Sequence, residues 1–523
     1  MDFGKTVLGI EFGSTRIKAV LIDERHLPIA SGSYEWENRL QDGIWTYSMA
    51  DIHNGLQTCY ANLKSDVKER FGAVPETFAA LGISGMMHGY LPFDRQWQQL
   101  AEFRTWRNTI TGQAAEELTE MLGFNIPQRW SIAHLWQAIL NGEEHTKYIA
   151  YLTTLAGYIH HVLTGEHKMG IGEASGMFPV DSEKLDYNEE MLLKFDAAAA
   201  EKGMPWKLRD ILPKAVVAGE SAGILSQQGA LFLDPEGDLK PGIPVAPCEG
   251  DAGTGMAATN SVRVCTGNVS AGTSAFAMLV ADHSLGVHRE ICMVTTPAGL
   301  PVAMVHCANC TSDINAWVSL FEEFAGAIGA EINKGELYTL LFKKALEGAP
   351  DCGGLISYNL YSGEGVTGVD EGRPVFARLP DSSFTLANFM RMHLLSALAT
   401  MKIGLDILTA EENIKVDKIY GHGGFFKTPG IGQRILSAAV NAPVSVMETA
   451  GEGGPYGMAL LAAYMVWKEK EEKLEDYLDR KVFADAISST LMADEIEIAG
   501  FDSFLKRYKA AYAVEKAAIK TLR

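Results

Sequence analysis

The sequence predicts an α/β protein of two large domains built on a repeated unit. Three observations carry this. At 523 residues the chain is longer than one hydrophobic core organises. A Gly/Ser/Thr turn joins two apolar, β-rich runs near the N-terminus, and a second copy of that device stands in the other half of the chain. Buried strand-like runs and longer stretches of helical spacing fill the sequence around them.

Val7-Leu8-Gly9-Ile10 is apolar, Gly13-Ser14-Thr15 turns, and Ile17 to Ile22 is apolar again up to Asp23-Glu24, which reads as a hairpin. Ala80 to Ser84 reads as a buried parallel strand. Residues 114 to 164 read as helical, with Leu135, Ile139 and Leu140 at helix spacing and a stop at Gly165. The Gly/Pro-rich stretch Asp234 to Gly255 is the expected domain boundary. After it, Val262 to Thr266 reads as a strand leading through Gly267 and Asn268 to the turn Ser270-Ala271-Gly272-Thr273-Ser274, and Ala275 to Val280 returns. A long helix is expected over Leu386 to Leu408, with Phe389, Leu394, Leu398 and Leu405 on one face. Val416 to Tyr420 is a strand ending at Gly421-His422-Gly423-Gly424. Pro455 to Trp467 is a helix that runs into the charged stretch Lys468 to Lys473, and Phe501 to Arg523 is an amphipathic final helix. One device repeated in two halves implies a duplicated unit with a ligand held between the copies.

The bulk numbers exclude some partners. Nearly half the residues, 47%, are hydrophobic, as in a packed globular enzyme. A formal net charge of -20 repels nucleic acid and anionic membrane surfaces. The N-terminus shows no charged start followed by an apolar stretch, and no window holds the ~18 uninterrupted apolar residues of a membrane span. Seven scattered cysteines are read as free thiols of a cytoplasmic protein.

Several segments can carry chemistry. Gly4-Lys5-Thr6 resembles the end of a Walker A loop, but only three residues precede Gly4, so it is no P-loop. The turns at Gly13-Ser14-Thr15 and Gly272-Thr273-Ser274 are either ordinary hairpins or phosphate cradles, with Lys18 as a nearby cation. Asp251, in Glu249-Gly250-Asp251-Ala252-Gly253 after the apolar run Ile243 to Ala246, is either a turn-former or a carboxylate that accepts a hydroxyl proton or orders Mg²⁺. His88 in Gly85-Met86-Met87-His88-Gly89 is a core residue or a polyol contact. Gly423-Gly424 and Gly451-Glu452-Gly453-Gly454-Pro455 are tight strand–helix turns or places where the backbone nears a flat ligand such as adenine. Cys307 and Cys310 lack the second pair that structural zinc needs, and read as ordinary thiols.

In this order the segments resemble the FGGY family of carbohydrate kinases over almost the whole chain. The family's phosphate hairpin is similar to Glu11-Phe12-Gly13-Ser14-Thr15-Arg16-Ile17-Lys18. The G-Q-M-H-G sugar motif of its xylulokinase members is similar to 85–89, their G-G-G-D to Glu249-Gly250-Asp251, and their S-L-G-T-S to 270–274. The resemblance implies two ribonuclease-H-like domains of the actin, Hsp70 and hexokinase type with an interdomain active-site cleft. Residues 1–255 would be the sugar-binding domain with the first phosphate hairpin. Residues 256–480 would bind ATP, and 481–523 would be a helical tail packed on the core. It implies ATP and Mg²⁺ as cofactors and a ketopentose as acceptor, D-xylulose first, with L-ribulose, L-xylulose or another polyol as alternatives. A nucleotide-driven switch without a sugar is the alternative of another class, and a homodimer is left open. Asp251 would be the base. Met87, His88, Trp106 and Asp251 would hold the sugar, and Glu11 and Asp251 the metal. Gly13, Ser14, Thr15, Lys18, Gly272, Thr273 and Ser274 would grip the phosphates, and Gly423, Gly424, Gly453 and Gly454 the adenosine. Four departures stand out: Glu11 for Asp, Asn108 where Asp is frequent, Ala252 for Asn, and His134 for Lys.

Overall fold

The computed structural model of the chain describes residues 1–447 and 453–522. Gly451 and Glu452 of the second glycine cluster, and Arg523 of the tail, lie outside the described residues. The chain divides into two compact units. The first comprises Met1–Val262, Met293–Val302 and Glu452–Asp485, and the second Arg263–Cys292, Ala303–Gly451 and Ala486–Arg523. These differ from the expected boundaries at 255 and 480, for a packing reason given below.

In the first unit the predicted hairpin is β1 (Val7–Phe12) and β2 (Arg16–Ile22), extended by β3 (Pro28–Glu35), all antiparallel. β4 (Ala80–Gly85) pairs parallel with β1. The sheet continues through β5 (Gly223–Ile224) and β6 (Pro244–Val245) in the order β3-β2-β1-β4-β6-β5, and β7 (Glu249–Gly250) also pairs with β4. β1 and β4 are apolar up to Glu11 and Ser84 near their carboxyl ends because both faces are covered: Val7, Leu8, Ile10, Leu81 and Ile83 have no exposed surface. α1 (Met49–Phe71) lays Ile52, Leu56, Cys59, Leu63 and Val67, one apolar stripe at helical spacing, onto β2 and β3. Ser48 caps its start and Gly72, at φ +68°, ends it. The other side of β1 and β4 is covered by α3 (Gly453–Trp467), and α2 (Asp251–Ala258) packs on α3. That is why 452–485 joins the first unit.

A second seven-stranded sheet repeats the device. β8 (Thr266–Ala271) and β9 (Ala275–Val280) form the second hairpin. With β10 (Ile291–Thr295), β11 (Pro301–Cys307), β12 (Lys418–His422), β13 (Val444–Met447) and β14 (Ser488–Leu491) the order is β10-β11-β9-β8-β12-β13-β14. β8 pairs parallel with β12, and β12 with β13. Two sheets, each a hairpin followed by parallel strands, are the expected ribonuclease-H-like plan.

Three elements differ from expectation. The first strand of the second hairpin is 266–271, downstream of 262–266, because Cys265 takes a left-handed turn (φ +63°) that stops any strand there. The helical stretch 114–164 is broken into Gly112–Leu122, Ser131–Leu140 and Leu155–Thr164, the first ended by left-handed Gly123 and the last by the expected Gly165. The tail is two helices, Glu495–Ala510 and Tyr512–Thr521. The long helix from Leu386, with its continuation to Glu411, is apolar enough to cross a membrane by length and composition, yet 72% of that window is buried inside the protein.

The contact of α3 with β1 depends on Gly9. A Cβ there would lie 2.1 Å from the Pro455 carbonyl and 2.5 Å from the Ala459 nitrogen, and neither backbone atom can yield cheaply. Gly9→Ala is expected to destabilise the protein by about 1–3 kcal/mol, read as a lower urea midpoint at unchanged slope.

Candidate active site

Three strand ends build the first part of the site. Parallel pairing sets Glu11 opposite Ser84 and Ser84 opposite Glu249. The carboxyl ends of β1, β4 and β7 therefore lie side by side, at the edge where α/β sheets bind ligands. Antiparallel pairing adds Lys18 opposite Glu11. The chain leaves β4 through Met86, Met87, His88 and Gly89, with His88 at φ +72° and Gly89 at φ +96°. It leaves β7 straight into α2, whose first residue is Asp251. The Met87 N–H donates to Asp251 Oδ1 at 3.1 Å, so the two predicted motifs meet through one hydrogen bond.

Asp251 keeps part of its surface open to solvent but sets its carboxyl inward, in the first turn of a helix, where N–H dipoles favour a carboxylate. Protein packed around the carboxyl strips water from it and raises its pKa above the usual Asp range, while N–H groups of Met87 and Ala252 limit the rise. Glu11 is half-buried and accepts from Ser84 Oγ at 3.5 Å and Thr254 Oγ1 at 3.4 Å. Lost hydration, then the Asp251 charge, lift it to about 8 against the pull of Lys18 and the two hydroxyls. A Cβ on Gly454 would fall 1.4 Å from Glu11 Oε2. The glycine at the start of α3 thus makes room for the longer acid that stands here in place of Asp. That is a local reason for Gly454, distinct from an adenosine contact, and Gly453 precedes it in the same turn.

Two more acids lie behind. Glu249, buried, accepts from the N–H groups of Gly172 (3.3 Å) and Glu173 (2.9 Å), and burial lifts its carboxyl to about 8. Glu173 was not foreseen. It is fully buried, and neither carboxyl oxygen has a hydrogen-bond partner among the described residues. Burial, with added repulsion from Asp251 and Glu249, holds its pKa well above the carboxylate range, opposed only by nearby Thr154. A Cβ on Gly250 would lie 2.4 Å from Glu173 Oε2, so the acid sits against the residue before Asp251. Its signal in the sequence is a single acid within the apolar run Met169 to Ala174.

His88 is buried with both ring nitrogens engaged: Nδ1 meets the Gly176 carbonyl at 3.0 Å, and Arg129 Nε donates to Nε2 at 3.2 Å. Those partners suit the neutral ring protonated on Nδ1. Trp106 is 37% exposed on a turn that Asn108 anchors. The Asn108 amide donates to the carbonyls of Trp45 and Thr105 and accepts from the Trp45 N–H. An Asp could not make those two donations, which explains the departure at 108. His134 is buried, and burial lowers its pKa to about 3, so it is a neutral core residue.

Both predicted turns share one electrostatic design. In the first, the Gly13 N–H bonds the Arg16 carbonyl, and the carbonyls of Gly13, Ser14 and Thr15 are taken by Trp36 and Tyr47. In the second, the Gly272 N–H bonds the Ser274 carbonyl. The Gly272 carbonyl accepts from Thr311 N and Oγ1, and that of Thr273 from the Cys310 N–H. The N–H groups of Ser14, Thr15, Thr273 and Ser274 have no partner among the described residues, which leaves each turn an anion-seeking surface. Cys310 and Cys307 are buried thiols, with Cys310 raised to about 12 by burial, and among the described residues no three potential ligands gather for a metal.

The second unit also holds a cavity of about 520 Å³ lined by Gly272, Thr273, Thr311, Asn315, Tyr338, Phe342, Gly424 and Phe425, among others. Gly423, at φ +97°, precedes Gly424. Phosphate-type turn and aromatic wall share one cavity there; Tyr338, Phe342 and Phe425 were not foreseen, since only the fold brings them beside Gly272.

The acid cluster makes stability pH-dependent. Glu173 and Glu249 keep protons in the folded state that the unfolded chain releases above about 4.5. Their stabilising contribution is complete below that pH and is lost as pH rises, for Glu249 towards about 8 and for Glu173 through its own raised range. Glu173→Gln should leave stability at pH 5 nearly unchanged and flatten the decline between pH 5 and 8, by at most about 1.4 kcal/mol per pH unit, in urea melts at each pH.

The chain matches the N-terminal domain of the FGGY family of carbohydrate kinases over residues 6–258 and the C-terminal domain over residues 267–466. It is 21% identical to a xylulose kinase of Haemophilus influenzae over 96% of this chain and 98% of that one. Among solved structures it resembles a xylulose kinase from Rhodospirillum rubrum (TM-score 0.77, 17% identity, 97% and 98% covered). It also resembles a gluconate kinase from Lactobacillus acidophilus (TM-score 0.78, 16% identity, 97% and 98% covered). With both domain models matched in order across most of its length, the chain belongs to the FGGY family of carbohydrate kinases and is a sugar kinase.

Proposed function

We propose that the protein transfers the γ-phosphoryl group of ATP to the terminal hydroxyl of a ketopentose, D-xylulose first, with Asp251 as the base. The observation that carries this reading is the Asp251 carboxylate at the start of α2, tied by one oxygen to the Met87 N–H of the sugar-type motif. As the hydroxyl attacks, Asp251 takes its proton, a role worth about 10²–10⁴-fold in rate. Its raised pKa makes it a stronger base than an ordinary aspartate. The unpaired N–H groups at Ser14-Thr15 and Thr273-Ser274 suit the terminal phosphates, and the aromatic cavity beside Gly424 suits a purine. Lys18 adds positive charge near the first turn.

The neighbouring carboxyls of Glu11 and Asp251 fit a divalent cation, since the Asp251 charge that helps raise Glu11 is what such an ion relieves. They would hold Mg²⁺ by few protein ligands, as that ion keeps most of its shell for water and phosphate oxygens, and it would neutralise phosphate charge.

L-ribulose, L-xylulose or another polyol is the second reading. It is favoured by His88, whose two nitrogens are already used by Gly176 and Arg129, and by Ala252 and Asn108, which offer no acid or amide to a sugar. Gluconate and glycerol kinases among the structural relatives widen the panel to test. ADP release measured across ketoses, polyols and aldonates should rise strongly with one sugar class; release indifferent to every acceptor would overturn the acceptor assignment. Asp251→Asn should lower turnover by about 10²-fold or more while binding of a non-hydrolysable ATP analogue stays close to wild type. Near-normal turnover would remove Asp251 as the base.

A further inference from the structure

The first phosphate-type turn takes its shape from two aromatic residues that belong to none of the motifs. Trp36 and Tyr47 are buried, 6% and 3% exposed, and stack with ring centroids 4.0 Å apart at 24°. Phe12, the last residue of β1, supports Trp36 from behind at 5.9 Å. Trp36 spends both of its donors on the turn: Nε1–H reaches the Gly13 carbonyl at 2.7 Å, and the backbone N–H reaches the Thr15 carbonyl at 3.1 Å. The Tyr47 hydroxyl donates to the Ser14 carbonyl at 2.5 Å. Three consecutive carbonyl oxygens are thereby captured.

A trans peptide is planar, and its C=O and the following N–H point to opposite sides. Capture of the Gly13 oxygen therefore turns the Ser14 N–H away from the indole, and capture of the Ser14 oxygen does the same for the Thr15 N–H. Neither N–H has a partner among the described residues. Burial lifts the Tyr47 phenol to about 12, so it remains a donor at any working pH. The same hydroxyl lies 3.8 Å from Met86 Sδ, which links the turn to the motif that carries Met87.

We infer that Trp36 and Tyr47 are positioning residues, a stacked clamp that fixes the carbonyls of 13–15 and so presets the Ser14 and Thr15 N–H groups for the terminal phosphates of a nucleoside triphosphate. The identity of that anion rests on the kinase reading above.

Tyr47→Phe keeps the ring and removes the hydroxyl; Trp36→Phe keeps a stacking ring and removes the indole N–H. Each variant and the wild type would be titrated by calorimetry with a magnesium-loaded non-hydrolysable ATP analogue and, separately, with AMP, alongside thermal unfolding. Tyr47→Phe should raise the triphosphate Kd about threefold to tenfold, the worth of one hydrogen bond, with AMP affinity unchanged. Trp36→Phe should do the same in direction. Unchanged triphosphate affinity in both variants would overturn the clamp, as would equal losses for AMP and triphosphate, which mark general loosening. A wild type that binds neither nucleotide overturns the nucleotide assignment itself, before any variant is considered.

Discussion

The parallel register of β1, β4 and β7 is the constraint on which the rest of the first unit depends. Because Glu11, Ser84 and Glu249 fall on one line across the sheet, four carboxyl groups crowd one corner once Glu173 and Asp251 are added. Taking ionised carboxylates out of water is costly unless donors or protons meet them. The fold supplies both. Met87, Gly172 and Glu173 give backbone N–H groups, Ser84 and Thr254 give hydroxyls, and raised pKa values keep part of the cluster protonated. Asp251, at a helix N-terminus and with part of its surface open to solvent, is the member best placed to carry charge, which is what the proposed role as base asks of it.

The two halves of the chain repeat a geometry more than a set of residues. Each hairpin turn hides its carbonyls and leaves the N–H groups of Ser14-Thr15 or Thr273-Ser274 without a partner among the described residues. In the first turn aromatic donors do this; in the second, the backbone of Cys310 and Thr311 with one threonine hydroxyl. Chemically different parts converge because the requirement is a local positive potential, which is indifferent to which groups capture the oxygens.

Much of this was legible in the sequence. Apolar runs bounded by Gly/Ser/Thr turns located both hairpins, and Ala80 to Ser84 read correctly as a buried parallel strand. Asp251 and Met87 could be named because turn chemistry and strand ends leave local marks. Glu173, Trp36, Tyr47 and Tyr338 could not, since each acquires its role from neighbours far away in the chain. His88 and Asn108 were visible, but the bonds of their polar atoms to backbone groups and, for His88, to Arg129 are a matter of tertiary contact that no spacing reveals. Strand 266–271 was placed too early because Val262 to Thr266 has the stronger β composition, and the left-handed turn at Cys265 overrides it.

The helix that closes over β1 and β4 comes from residues 453–467, so the first unit is discontinuous in the chain. During synthesis at about 5–20 residues per second, nearly two hundred residues separate the end of the N-terminal segment from this helix, a delay on the order of ten to forty seconds. Through that interval the apolar face of the first sheet lacks its cover and Glu11 lacks Gly454 beneath it. Neither a nascent chain nor a fragment cut near 262 can complete this unit, so its folding waits on the translation of most of the other one.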